Sequence, residues 1–118
     1  MRNYRDLKVW HRAHEVTLDL YRTTRSFPQS ELYGLTTQIR RAAASIGANL
    51  AEGCGRHTDP EMGRFLQIAM GSASELDYHL LLAKDLGLLK PANYERLSAN
   101  LEEVRRMLTS LTQRVRAA

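Results

Sequence analysis

Apolar positions recur along this chain at helical spacing, and prolines divide the pattern into four segments. The clearest run lies near the C-terminus, where Tyr94, Leu97, Leu101, Val104, Leu108, Leu111 and Val115 step alternately by three and four residues. That alternation keeps one seam turned toward a partner helix. Upstream, Met62, Phe65, Ala69, Ala73, Leu76, Leu80 and Ala83 take similar steps, and Val9, Ala13, Val16 and Leu20 form a shorter stripe with Trp10 and Tyr21 beside it. Pro28, Pro60 and Pro91 read as punctuation, because proline suits the first turn of a helix and breaks its interior. Thr58-Asp59-Pro60-Glu61 has capping-box spacing, and Gly53, Gly55 and Gly87 stand where helices stop. No stretch alternates with the period of a strand. The pattern predicts an all-α fold: one domain over residues 1–118, with helices over about 5–25, 30–54, 59–86 and 91–115, folded as an antiparallel up-down-up-down four-helix bundle.

The second of these helices is unusual. At 100° per residue, Leu35, Ile39, Ala42, Ala43, Ile46 and Leu50 share one arc, the expected core face. Gln38, Arg41, Ser45, Asn49, Glu52 and Arg56 form a polar arc beside it. Two readings fit that arc. Arg40, Arg41 and Arg56 suit phosphates, with Asn49 and Glu52 orienting them. Alternatively, Ser45, Asn49 and Glu52 form a hydrogen-bonded ladder that fixes helix register, with Glu52 pairing Arg41 or Arg56. The face opposite the core should be charged on a simple surface helix. Here it holds Ala44, Gly47, Ala48 and Ala51, and Gly47 costs about 1 kcal/mol relative to alanine in a helix. Small residues on an outer face permit close approach of another backbone, so these four are the expected subunit interface, shared by helices two and three.

Composition narrows the picture. Leu (18) and Ala (13) dominate while Val and Ile together supply seven, which favours helix. A single cysteine, Cys54, excludes a disulfide framework and points to the cytoplasm. No uncharged run is long enough to span a membrane, so no membrane partner is expected. The net charge of +4 is uneven: residues 1–41 carry eight basic and four acidic groups, 42–90 four and six, and 91–118 five and three. Arg2, Arg5, Lys8 and Arg12 near the start and Arg105, Arg106, Arg114 and Arg116 near the end form one basic patch if both termini lie at one end of the bundle. Such a surface suits a polyanion.

The stretch Gln38 to Gly53, QIRRAAASIGANLAEG, resembles the signature of the small four-helix-bundle proteins encoded in intervening sequences of bacterial 23S ribosomal RNA genes. Asp6-Leu7-Lys8-Val9-Trp10, Phe27-Pro28 followed by Glu31-Leu32-Tyr33-Gly34-Leu35, Arg64-Phe65-Leu66 and Ile68 to Leu76 are similar to that family in order and spacing. The resemblance implies two helical hairpins packed as one bundle, subunits assembled into a ring, typically a pentamer, and no established enzymatic activity. It links the family to ribosomal RNA through gene location, and to accessory proteins beside reverse transcriptases. Gly47 stands where the family often has proline, and Met70 where a basic residue is common. Arg40, Arg41, Arg56 and Arg64 are the signature-linked residues expected to contact RNA.

Rival chemistries lack their residues. A ferritin-like centre needs Glu-x-x-His pairs, and the residues three before His14, His57 and His79 are His11, Cys54 and Leu76. His11-x-x-His14 and Cys54-x-x-His57 each supply two ligands of the three or four a zinc site needs. Cys54 lies near Arg56 and His57, which favour a thiolate, but without a nucleophile elbow. Gly71-Ser72-Ala73-Ser74 sits inside a heptad pattern and is no phosphate loop. The expectation is therefore a protein with no catalytic residue, no metal, no cofactor and no small-molecule substrate. It self-associates and binds structured RNA or a nucleoprotein, or alternatively serves as an oligomeric protein-interaction scaffold.

Overall fold

Leu7 sets the first boundary. In the computed structural model, which describes residues 2–117, Tyr4–Asp6 form a single 3₁₀ turn capped by Asn3, whose Oδ1 accepts the Arg5 N–H at 3.0 Å. Leu7 is extended (φ −87°, ψ 122°), and the first long helix, α1, runs Lys8–Thr23. The expected start near residue 5 is thus a separate turn that no glycine or proline announces. After α1 come two more 3₁₀ turns, Thr24–Ser26 and Gln29–Glu31, on either side of Phe27 and Pro28. A π-helical turn over Leu32–Thr36 follows, with Gly34 at φ −112°, ψ −115° outside helical geometry. Regular helix α2 begins only at Thr37 and ends at Cys54. The helix expected from residue 30 therefore has a distorted entrance, made where Gly34 lets the backbone kink and the Thr37 hydroxyl donates to the Leu32 carbonyl.

Helix α3 runs Asp59–Asp85 and α4 Pro91–Ala117. Thr58 caps α3: its Oγ1 accepts the Glu61 N–H at 3.3 Å and donates to Glu61 Oε2 at 3.1 Å, a hydroxyl contact in place of the backbone N–H bond of a full capping box. Gly87 ends α3 at φ +77°, where Leu88 N–H reaches back to Ala83 O at 2.9 Å and Gly87 N–H to Lys84 O at 3.0 Å, a Schellman ending. No strand occurs among the described residues.

Each helix packs against its chain neighbours, and α1 also meets α4, so the four close around one core. Val9, Ala13, Val16 and Leu20 of α1 meet Ile39, Ala42, Ala43, Ile46 and Leu50 of α2 there, and every stripe residue of α4 is buried except Tyr94. In α3 the core takes Leu66 and leaves Phe65 on the flank. Contacts pair early residues of one helix with late residues of the next. Thr17 Oγ1 donates to Ala43 O at 3.2 Å and Arg2 N–H to Cys54 O at 2.8 Å. Ser45 and Ser72 hydroxyls meet at 2.8 Å, and Gly53 approaches Phe65 so closely that an added Cβ would lie 3.1 Å from the Phe65 Cβ.

Asp19 fastens α1 to α4. Its carboxylate accepts two bonds from Arg96, Nε to Oδ2 at 3.0 Å and Nη2 to Oδ1 at 2.9 Å, and a third from Thr23 Oγ1 at 3.1 Å. The Arg96 hydrogen bonds hold the Asp19 carboxyl below its usual 3.8. A lowered folded-state pKa means that this contribution to stability is complete above about pH 4 and is lost as pH falls through the folded value. Asp19→Asn is therefore expected to lower the melting temperature at neutral pH, with the gap to wild type closing as the pH is brought below 4. Thermal melts across that range check it.

Candidate nucleic-acid interface

Of the four candidate arginines, Arg40 and Arg41 stand in the first turns of α2, Arg56 follows its last residue, and Arg64 is on α3. Arg40, at the end nearer the close of α1, is engaged within the chain. Its Nε donates to Thr24 Oγ1 at 2.9 Å, its Nη2 donates to Tyr21 O at 3.4 Å, and its guanidinium lies 4.8 Å from the Tyr21 ring centroid. Thr24 is itself buried and donates to Leu20 O at 2.7 Å. Arg40 thus satisfies backbone and hydroxyl acceptors at the C-terminal end of α1, where carbonyls lack helical partners. Arg41 points outward and is exposed. Removing Arg40 should cost about 1 kcal/mol of stability, whereas Arg41→Ala should stay within about 0.5 kcal/mol of wild type. Parallel urea titrations of the two variants distinguish them.

Arg56 and Arg64 form a different site at the corner where α2 turns into α3. Their guanidinium carbons lie 4.5 and 5.5 Å from the centroid of the same Phe65 ring. Arg56 also pairs with Glu52 at 3.6 Å. Arg64 lines a surface cavity of about 350 Å³ with Asp59, Pro60, Gln67 and, from the last turns of α4, Val115 and Arg116. Asp59 is paired with Arg2 at 3.5 Å. A rise of about 1.5 Å per residue places Arg41 roughly 20 Å along α2 from Cys54, and Arg56 lies two residues beyond that end. The four residues therefore do not make one patch: Arg56, Arg64 and Arg116 gather at one corner, and Arg40 and Arg41 stand at the far end.

The polar arc divides as well. Asn49 Nδ2 donates to Ser45 O at 2.8 Å and to Ser45 Oγ at 3.0 Å, and Ser45 meets Ser72 of α3, giving a short ladder across the α2–α3 contact. Glu52 is outside it, exposed and paired with Arg56. The small-residue face forms the floor of a groove of about 490 Å³, walled by Tyr4, Trp10, His14 and Tyr21. Ala44 and Ala48 are exposed and Ala51 half-buried. Gly47 is occupied from within, since a Cβ there would lie 3.4 Å from Trp10 Nε1. The groove lies between α1 and α2, because Trp10 packs onto the glycine.

The expected terminal patch is partly neutralised. Lys8 and Arg114 line one cavity, so the start of α1 and the end of α4 adjoin. Arg105, however, faces Asp77 at 3.8 Å and Glu102 at 3.5 Å, and Arg106 pairs with Glu103. Cys54 is buried, and burial pushes its thiol above the ordinary value, partly offset by Arg2, so the thiolate expected from its neighbours Arg56 and His57 is disfavoured. His11 Nε2 lies 2.6 Å from Arg5 O, and the His14 ring stacks on Trp10 at 4.9 Å. Among the described residues no group of three or more His, Cys, Asp or Glu side chains is placed to hold a metal ion, and no helix is long and apolar enough to cross a membrane.

Comparison with known proteins settles the family. The family model described as 23S rRNA-intervening sequence protein matches residues 5–110. The chain belongs to that family. Its fold is shared with a crystal structure of a protein of unknown function from the S23 ribosomal protein family of Bacteroides thetaiotaomicron, with a TM-score of 0.82 at 23% identity over 89% of this chain and 95% of that one. No curated protein matches. For the 23S rRNA-intervening sequence family, then, this member places its signature arginines in two separate settings. Sequence reasoning missed that Phe65 underlies two arginines and that Trp10 walls the groove; the only signals were an aromatic residue directly beside Arg64 and one flanking the α1 stripe.

Proposed function

We propose that this chain is a non-enzymatic bundle whose four helices run up-down-up-down and antiparallel, that it assembles with copies of itself into a ring, and that the assembly binds structured RNA, ribosomal RNA being the first to try. The reversed order of contacts along successive helices supports the antiparallel arrangement. Family membership supports the ring and its expected number of five. The observation that carries RNA association is the α2–α3 corner, where Arg56 and Arg64 share the Phe65 ring and Arg116 joins Arg64 around one cavity. Guanidinium groups held over a surface ring still present N–H donors to phosphate oxygens, with Arg56 sharing one of its own with Glu52. Repetition of that corner around a ring multiplies weak phosphate contacts into useful avidity.

Arg40 has the role of a helix clamp in this reading, so the RNA contact is assigned to Arg56 and Arg64, with Arg41 as an outlying contributor. Arg56→Ala with Arg64→Ala is the test. Loss of RNA binding with the oligomer intact supports the reading. Unchanged RNA binding removes the contact from these two arginines, and dissociation or unfolding of the variant, with no RNA binding by the wild-type chain, favours the other role, an oligomeric protein-interaction scaffold or accessory protein residing in the cytoplasm, in which these arginines are structural.

A further inference from the structure

Gly63, in the second turn of α3, is a glycine that its own fold does not need. Glycine inside a helix costs about 1 kcal/mol relative to alanine. Gly53 is explained by Phe65, whose Cβ would lie 3.1 Å from an added Cβ, and Gly47 by the Trp10 ring upon it. Gly63 is buried, yet a Cβ built there meets no atom within 4 Å. The residue lines the cavity of about 350 Å³ at the α2–α3 corner, so its missing side chain gives that cavity its depth.

The walls of the cavity carry the groups that a nucleotide uses. Arg64 comes from α3 and Arg116 from α4, and among the described residues neither is in an ion pair, unlike Arg105 and Arg106. Pro60 and Val115 add apolar surface. Asp59 and Gln67 supply a carboxylate and an amide, the side-chain types that hydrogen-bond base edges. The Phe65 ring is taken by Arg56 and Arg64, so a base would stack on a guanidinium plane, which serves RNA recognition as aromatic rings do. Size narrows the ligand further. Ligand pockets span about 300–1,000 Å³, and this one, near the lower bound, admits a single base with its sugar and no base pair.

We propose that the corner cavity seats one unpaired nucleotide of a structured RNA, a bulged or looped base lying over Gly63 with its phosphate held by Arg64 and Arg116. This rests on the RNA-binding reading of the same corner, and it names the form of RNA that the corner prefers. An unpaired base enters at little cost, whereas a base within a duplex must first be unstacked and unpaired. Duplex RNA is left with contacts to its backbone alone.

Binding of a blunt RNA duplex is compared with binding of the same duplex carrying one bulged nucleotide, each of the four bases in turn, at one low salt concentration. Wild type is expected to bind the best bulged RNA at least about fivefold more tightly than the duplex, the gain from stacking one base. Gly63→Leu fills the cavity without removing a cation and without a clash at its Cβ. It is expected to keep the duplex affinity, to lose the preference, and to melt no lower than wild type, since leucine is the better helix former. Wild type that binds all these RNAs alike overturns the inference while RNA binding stands. A preference that survives in Gly63→Leu overturns it as well. Binding of none of them removes the RNA-binding reading and this inference with it. If Gly63→Leu unfolds, Gln67→Ala at an exposed position takes its place. The preference is then expected to narrow with duplex affinity unchanged, and an unaltered preference overturns the inference.

Discussion

Leu101→Ala is expected to destabilise the bundle by about 2–5 kcal/mol, the range for deleting a fully buried leucine side chain. Leu101 is completely buried at the middle of the α4 stripe. α4 packs against both α1 and α3, so a void there is bordered by rigid elements that cannot collapse into it without moving a whole helix. Domains of this size have total stabilities of about 5–15 kcal/mol, so the change removes a large share. Urea unfolding followed by circular dichroism measures it as a lowered midpoint with an unchanged slope. Tyr33→Ala is the control. Tyr33 is 92% exposed on the π-helical turn, and its loss should stay within about 0.5 kcal/mol of wild type.

Reversing charge at the α2–α3 corner, Arg56→Glu with Arg64→Glu, is expected to have the largest functional effect. On the proposed RNA-binding reading, each guanidinium lost removes one phosphate contact, and each carboxylate gained adds repulsion. The salt slope of RNA binding should fall by about 2 units of log affinity per log salt for the two lost contacts alone. The affinity at low salt should drop by more than tenfold, since two charge-assisted hydrogen bonds contribute about 1.5–3 kcal/mol each. Stability should change little. Both residues are exposed, and what they lose within the chain is the exposed pairing of Arg56 with Glu52 and stacking on Phe65. A double variant that unfolds would show instead that these two residues serve the corner itself. Filter binding or fluorescence anisotropy on the folded variant gives the affinities.

The helical framework was legible because its signals are local. Prolines and the Thr58–Glu61 box act within one turn, and the α4 stripe repeats often enough to fix its own seam. Where the sequence misled, a tertiary partner decided. Leu7 breaks the first helix without a breaker residue, because Asn3 caps a separate turn ahead of it. Phe65 and Leu66 fit a three-four spacing from Met62 equally well, and the choice between them depends on which face meets the neighbouring helices; the core takes Leu66. Arg40 and Arg41 are adjacent and alike in sequence, yet one faces Thr24 and Tyr21 across the α1–α2 contact and the other faces solvent. The small-residue face of α2 was visible as an anomaly. That Trp10 fills its centre at Gly47 follows from the register of α1 on α2, which periodicity along a single helix does not determine.

The most direct test of an RNA-binding bundle is the affinity of the wild-type chain for structured ribosomal RNA over a salt series at fixed pH. Phosphate contacts release counterions, so the affinity should fall linearly on a log-log plot as salt rises, with a slope of several units if subunits act together. Binding that is absent at low salt, or that is indifferent to salt, would contradict the account.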